Sequence, residues 1–168
     1  MVSIVNRKHP VLKRKAEVVT EADMSAAINL AENLMKVLEE DKTRQGVSAN
    51  QIGEYLRVFA CKINKQIAVF INPEIIWSKG SKKSNERCLT SEGCYIVKRP
   101  RICKVRWIDV NAIEHKKILL YKNARRFCHE VDHLNGLCIH DTGILWKYSK
   151  AAEELMRKEK EKKACKKC

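Results

Sequence analysis

Asn123-Ala124-Arg125-Arg126-Phe127-Cys128-His129-Glu130-Val131-Asp132-His133-Leu134-Asn135-Gly136 carries two periodicities at once. Ala124, Phe127, Val131 and Leu134 recur at helical spacing. They form an apolar stripe that anchors a helix over residues 123–135 in a core. Gly136 stops it. Away from the stripe, His129 and His133 stand four apart, so both imidazoles face the same side. Neutral imidazoles ligate divalent transition metals, and two on one face can share one ion. Glu130 follows the first of them directly, placed to reach a metal-bound water without ligating the ion, as a general base does. The plainer reading is a pair of solvated or hydrogen-bonded core histidines. A third ligand separates the two readings, because catalytic sites keep three protein ligands and one open position.

Cys94, in Ser91-Glu92-Gly93-Cys94-Tyr95, is the candidate third ligand. Gly93 permits an unusual backbone conformation beside the thiolate, and a tight turn there can aim the sulfur at a neighbouring helix. The alternative is a buried free thiol acting as a small hydrophobe. A third segment, Gly46-Val47-Ser48-Ala49-Asn50-Gln51-Ile52-Gly53, is small-residue rich. Its glycines let the backbone come close to a ligand, and the Gln51 amide could hold a developing oxyanion. Read plainly, it is a glycine-bounded turn before a strand.

The rest of the chain gives an organisation of segregated helices and hairpins. Ala27, Ile28, Ala31, Leu34, Met35 and Leu38 predict an amphipathic helix over residues 22–41. Residues 56–61 and 67–72 read as strands around a turn at Asn64-Lys65, with Asn72-Pro73 ending the second. Residues 78–87 read as a polar, basic loop. Residues 103–110 and 117–121 read as two more strands. The fold class expected is α+β, with antiparallel or mixed sheets packed around the central metal-binding helix and helices at both ends.

At 168 residues the chain is long enough to bury a core without staples. It has no apolar run of about 18 residues to span a bilayer, and its start lacks the apolar core of a signal peptide. Eight cysteines without a secretory signal point to reduced thiols in a cytoplasmic protein. Cys165 and Cys168 form a terminal CxxC without partners, which reads as a frayed tail or as a metal or redox pair.

Taken in order, Gly46 to Gly53, Glu92-Gly93-Cys94 and His129 to Gly136 resemble the peptide deformylase family. That family carries a glycine-rich motif ending in Gln, a Glu-Gly-Cys motif and a His-Glu-x-x-His motif. His9-Pro10-Val11-Leu12, followed by basic residues, is similar to the family's start, and the resemblance covers residues 4–147. It implies that Cys94, His129 and His133 ligate one divalent metal ion, Fe2+ most commonly, with Zn2+, Ni2+ or Co2+ as substitutes. A water or hydroxide would fill the fourth position. Glu130 would take its proton and later donate one to the leaving amine. The Gln51 amide and the backbone N–H of Tyr95 would steady the oxyanion, with Gly46, Val47 and Arg126 as candidate substrate contacts. The implied reaction is hydrolysis of the N-formyl group of N-formylmethionyl peptides, the nascent chains, releasing formate.

Three departures from the pattern bear on the substrate. Arg44 stands where the family has a glycine, and Tyr95-Ile96 follow the cysteine where it has Leu-Ser. Lys122, Arg125 and Arg126 share the helical face of the two histidines, where the family lines an apolar methionine pocket. Cations there suit a carboxylate or phosphate better than a thioether, unless they snorkel to solvent. The alternatives are a related N-acyl amide hydrolase acting on a smaller or anionic substrate, and a non-catalytic basic protein associated with the ribosome. A zinc protease is disfavoured by the upstream cysteine. Residues 1–147 read as the catalytic domain and 148–168 as a charged terminal helix and tail of the same, monomeric unit. Family members with a basic C-terminal helix bind ribosomes, and a net charge of +14 favours a polyanion surface; a solvated helix is the alternative.

Overall fold

A computed structural model describes residues 2–147 and residue 154. After a 3-10 turn at Pro10–Lys13 come α1 (Met24–Glu40), β1 (Gly46–Ser48) and a second 3-10 turn at Ala49–Ile52. Then follow β2 (Val58–Ile63), β3 (Gln66–Lys79), β4 (Lys82–Cys88), β5 (Ser91–Arg99), β6 (Ile102–Ile108) and β7 (Glu114–Leu120). The last elements are α2 (Tyr121–Leu134), α3 (Ile139–Thr142) and β8 (Ile144–Lys147). One antiparallel sheet orders its strands β1-β2-β3-β6-β7, and a second orders them β4-β5-β8. The architecture is the α+β arrangement expected, with α2 at its centre. Apart from residue 154, the charged terminal helix and tail expected over residues 148–168, Cys165 and Cys168 included, lie outside the described residues.

The core explains why β2 reads as an unbroken apolar run. Val58, Phe59, Ala60 and Cys61 are fully buried because α1 packs on this strand from one side and α2 from the other. α1 buries Ala27, Leu30, Ala31, Leu34, Val37 and Leu38. The spacing is helical as predicted, but the stripe is rotated so that Leu30 and Val37 replace Ile28 and Met35 at its centre. α2 is seated by the stripe read from sequence: Ala124, Phe127, Val131 and Leu134 are all buried. Phe127 meets Phe59 and Phe70 edge-on, with ring centroids 5.1 and 5.2 Å away.

Two segments differ from expectation. Asn72-Pro73 does not end β3; the strand continues to Lys79 through a bulge. Asn72 adopts φ +49 there, and its side-chain amide bonds both the N–H and the C=O of Val19. The side chain thus takes over the pairing that the bulge interrupts, and proline is tolerated at such a site. Residues 78–87 are not a loop, because β4 pairs with β5 from Lys82↔Arg99 to Cys88↔Ser91. β4 carries no apolar alternation because its buried position is a glutamate, Glu86.

The C-terminal end of α2 is closed by donors and by one glycine. Ala16 N–H donates to the Leu134 carbonyl, and Arg57 Nη1 reaches the same oxygen and Asn135 Oδ1. Gly136 turns the chain at φ +76, and a Cβ there would lie 2.6 Å from the Lys13 carbonyl oxygen. Gly136→Ala is therefore expected to destabilise the fold by roughly 2–4 kcal/mol, combining left-handed strain with a backbone clash. Urea unfolding checks it; an unchanged midpoint would refute this account of the turn.

Candidate metal centre

Helix α2 carries His129 and His133 on the face opposite its apolar stripe, and their rings meet edge-on with centroids 4.9 Å apart. Their ligand atoms and the Cys88 sulfur all lie within 4.8 Å of one another. Cys88 Sγ is 3.1 Å from His133 Nε2. The thiol that faces the imidazoles is thus that of Cys88, not of Cys94, the candidate that the sequence motif suggests. Cys88 ends β4 at the point where the chain reverses into β5, so its sulfur points at α2. Cys94 lies farther along the returning strand, buried, with its backbone paired to Lys147 of β8.

Tyr95 is likewise not at the centre. It pairs with Glu86 and Leu145, and its ring packs with Val97 and Ile139 in a small satellite core. The residue after the sulfur that does line the cavity is Leu89. Glu86-Arg87-Cys88-Leu89-Thr90 was open to sequence reading. It has the glutamate two before the cysteine, and a leucine and a hydroxyl residue after it, the pair that is absent after Cys94.

Each member of the centre is held by a second group. Gln51 is buried in the 3-10 turn after β1. Its Oε1 accepts from Ser48 N–H, and its Nε2 donates to Cys88 Sγ at 3.2 Å and to Thr90 Oγ1 at 3.3 Å. His129 Nδ1 bonds Glu86 Oε2 at 2.9 Å, which leaves Nε2 for the centre. Glu86 also takes both arms of Arg99, at 2.9 and 3.0 Å, and Arg99 reaches on to Asp132. His133 Nδ1 lies 3.6 Å from Cys138 Sγ. Asp141 caps α3 on the Cys138 N–H and pairs with Lys13, while His140 bonds Ser91.

Charge follows this geometry. Burial alone raises the Cys88 thiol, but His133 and His129 outweigh it and hold the thiol well below its ordinary range. Burial disfavours the His129 cation, yet the Cys88 sulfur and the Glu86 carboxylate raise it to about 9. Burial likewise opposes the Glu86 charge, and His129 and Arg99 bring that carboxyl down to about 2. Glu130 stands apart. Burial pushes its carboxyl up to about 7, against the pull of His129 and His133. Its Oε2 is buried with no hydrogen-bond partner among the described residues.

Gly46 sits against that carboxylate, and a Cβ on it would come within 2.2 Å of Glu130 Oε1. Only a glycine leaves the room. Val47 turns its side chain into the core and pairs with Ala60, so its side chain does not line the cavity. Arg125 and Arg126 do line it, whereas Lys122 opens into a separate groove. The cavity in front of the centre measures about 400 Å³.

The donor set fits one divalent ion of the softer kind, a thiolate with two imidazoles. The unpartnered Glu130 oxygen beside it is what a water bound there would satisfy. Donors for one such ion, next to a carboxylate kept dry, serve the activation of water, and the class is that of the metal-dependent hydrolases. Comparison with known proteins narrows it. The polypeptide deformylase family profile matches residues 1–147. The peptide deformylase of Caldanaerobacter subterraneus subsp. tengcongensis is 35% identical over 140 residues, covering 80% of this chain and 84% of that protein. The crystal structure of peptide deformylase from Thermotoga maritima superposes with a TM-score of 0.78 at 28% identity, over 84% of this chain and 97% of that one. That from Thermus thermophilus gives 0.76 at 30% identity, over 82% and 83%. The chain belongs to the peptide deformylase family.

Cys88→Ala is expected to lose the bound ion, while Cys94→Ala keeps it. Metal content by plasma emission, on protein loaded anaerobically, checks this; loss of the ion in Cys94→Ala alone would reverse the assignment.

Proposed function

We propose that this protein removes the N-formyl group from formyl-peptides, the nascent chains among them, using Cys88, His129 and His133 to hold one divalent ion and Glu130 to carry the proton. The observation that carries the reading is the buried, unpartnered Glu130 oxygen beside a Cys/His/His donor set. The soft sulfur donor favours Fe2+, with Zn2+, Ni2+ or Co2+ as alternatives. When bound, such an ion supplies Lewis acidity that brings the pKa of water towards ~7.

The chain's own groups do the rest. The Glu130 carboxylate accepts the proton of the attacking water, because its Oε2 is free and its carboxyl titrates about 7. Negative charge then develops on the formyl oxygen. The Gln51 Nε2 donor, already aimed at Cys88, receives it together with the backbone N–H of Leu89, the wall residue that follows the sulfur. Protonated Glu130 hands its proton to the departing amine nitrogen as the C–N bond breaks, and formate and a free amine leave. Glu86 keeps His129 in one orientation throughout, and Cys138 stands behind His133 in the same way.

The remaining parts of the reading concern setting. Residues 1–147 form the catalytic domain of a cytoplasmic monomer, with residues 148–168 as its charged tail. A net charge of +14 supports contact between that tail and ribosomal RNA. Among the described residues no helix is long and apolar enough to cross a membrane.

Glu130→Gln is expected to bind metal as before and to release formate roughly 10²–10⁴-fold more slowly. Coupling formate to a dehydrogenase reads the rate. A variant as fast as the parent would remove Glu130 from the reaction, and a parent that releases no formate from any formylated amine would favour the non-catalytic ribosomal alternative.

A further inference from the structure

We infer that the groove between the β3–β4 turn, the β5–β6 turn and the start of α2 seats the phosphate backbone of single-stranded RNA. This surface is separate from the donor set and from the terminal tail. Residues 148–168 hold eight of the chain's 34 basic side chains and four of its 20 acidic ones, so ten of the fourteen excess positive charges lie in residues 1–147. Residues 79–126 alone hold fourteen basic and four acidic side chains. The domain's positive charge is thus concentrated between the end of β3 and the first turns of α2.

The fold gathers that stretch at one end. Arg101 N–H donates to the Lys79 carbonyl at 3.2 Å, and Tyr121 N–H donates to the Arg101 carbonyl at 2.8 Å. The groove there measures about 150 Å³ and is walled by Lys82, Arg101, Lys122 and Arg125, with Tyr121 among them. α2 begins in it with no acid in its first turn and no side-chain cap, so the positive helix end adds to the field.

The acids around the groove are engaged or lie elsewhere. Arg99, which also lines it, is held by Glu86 and Asp132. Glu74 and Glu114 pair with Arg106 and Lys116, and Asp109 pairs with His115. Glu92 lies at the opposite end of the β4–β5 hairpin from Lys82 and Arg99. Glu130 lines the cavity of the metal centre and not this groove. Among the described residues, Lys82, Arg101, Lys122 and Arg125 have no carboxylate partner. Four unmatched cations around one groove suit a run of phosphates.

Two exposed rings favour a nucleic-acid strand over a bare anion. Tyr121 adopts φ +48, a strained conformation for a bulky residue, and is 60% exposed, with the Arg101 guanidinium 5.8 Å from its ring centroid. Trp77 is 50% exposed on the outward face of the first sheet, opposite Lys104. Lys79 stands one outward row nearer the groove, opposite Ile102, and such rows are about 7 Å apart. Cations for the backbone and open rings for unstacked bases are the parts that single-strand sites combine. The choice of RNA over DNA rests on the proposed action on nascent chains.

The test uses the full-length protein and a fluorescein-labelled single-stranded RNA of about 12 nucleotides, read by anisotropy across a salt series. Lys82→Gln combined with Lys122→Gln is expected to weaken binding roughly 10-fold or more at low salt, and to make the slope of log K against log salt shallower by about 1.4. Lys83→Gln with Lys98→Gln, a cross-strand pair outside the groove, and Lys166→Gln with Lys167→Gln in the tail remove the same charge and should each stay within about twofold of the parent. Tyr121→Leu should weaken binding roughly 5-fold with the salt slope unchanged. Equal loss in all three charge pairs, or loss in the tail pair alone, overturns the inference. So does tighter binding to DNA of the same sequence, or capture by anionic phosphatidylserine vesicles with no RNA binding. The readout is binding alone, so any of these results leaves the deformylase reading standing.

Discussion

The Glu86 carboxylate is the joint on which the centre turns. It is buried, and it is shared between the Arg99 guanidinium and the His129 ring. A buried carboxylate is tolerable only when its charge and lone pairs are met, and here both oxygens are occupied. The same contact ties β4 to β5 through Arg99 and ties both to α2 through His129, with Asp132 closing the link on the helix side. The second sheet and the central helix share no backbone pairing, so this polar bridge sets how far Cys88 stands from the imidazoles. Removing one partner leaves a buried charge and frees a ring together, so stability and ligand geometry are coupled.

The first sheet contributes by clearance as much as by contact. β1 brings Gly46 against Glu130, and the turn after it brings Gln51 against Cys88. One edge of the sheet therefore fixes both the room for the proton carrier and the donor beside the sulfur. Behind them, β2 is buried on both faces, and the Phe59, Phe70 and Phe127 cluster keeps α2 from rotating about its axis. The histidines keep their aim because the opposite side of their helix is locked in a core.

How much of this was legible follows from which signals are local. The α2 stripe and the His129, Glu130 and His133 set were legible because helical periodicity depends on that segment alone. The sulfur was not, since the chain presents Glu-x-Cys twice. The glycine in the second copy, which adopts φ +93, drew the reading to Cys94. The better signal was Leu89-Thr90 after Cys88, and the Tyr95 role moved with it to Leu89. β4 escaped because its buried residue is an acid satisfied by Arg99, which no alternation of apolar residues announces. The continuation of β3 through Pro73 escaped because its support comes from Val19, remote in sequence. That Arg125 and Arg126 enter the cavity while Lys122 does not depends on cavity shape, and spacing gave all three the same face.

β8 pairs with the outer edge of β5 and completes the sheet that ends at Cys88. During synthesis this strand leaves the ribosome after almost everything else in the fold. Before then, β5 offers a row of unpaired amides, and the hairpin bearing the sulfur lacks its flank. The sheet that carries the sulfur is thus completed by the last strand of the described fold, whereas the histidine helix sits in a core built by elements that precede that strand.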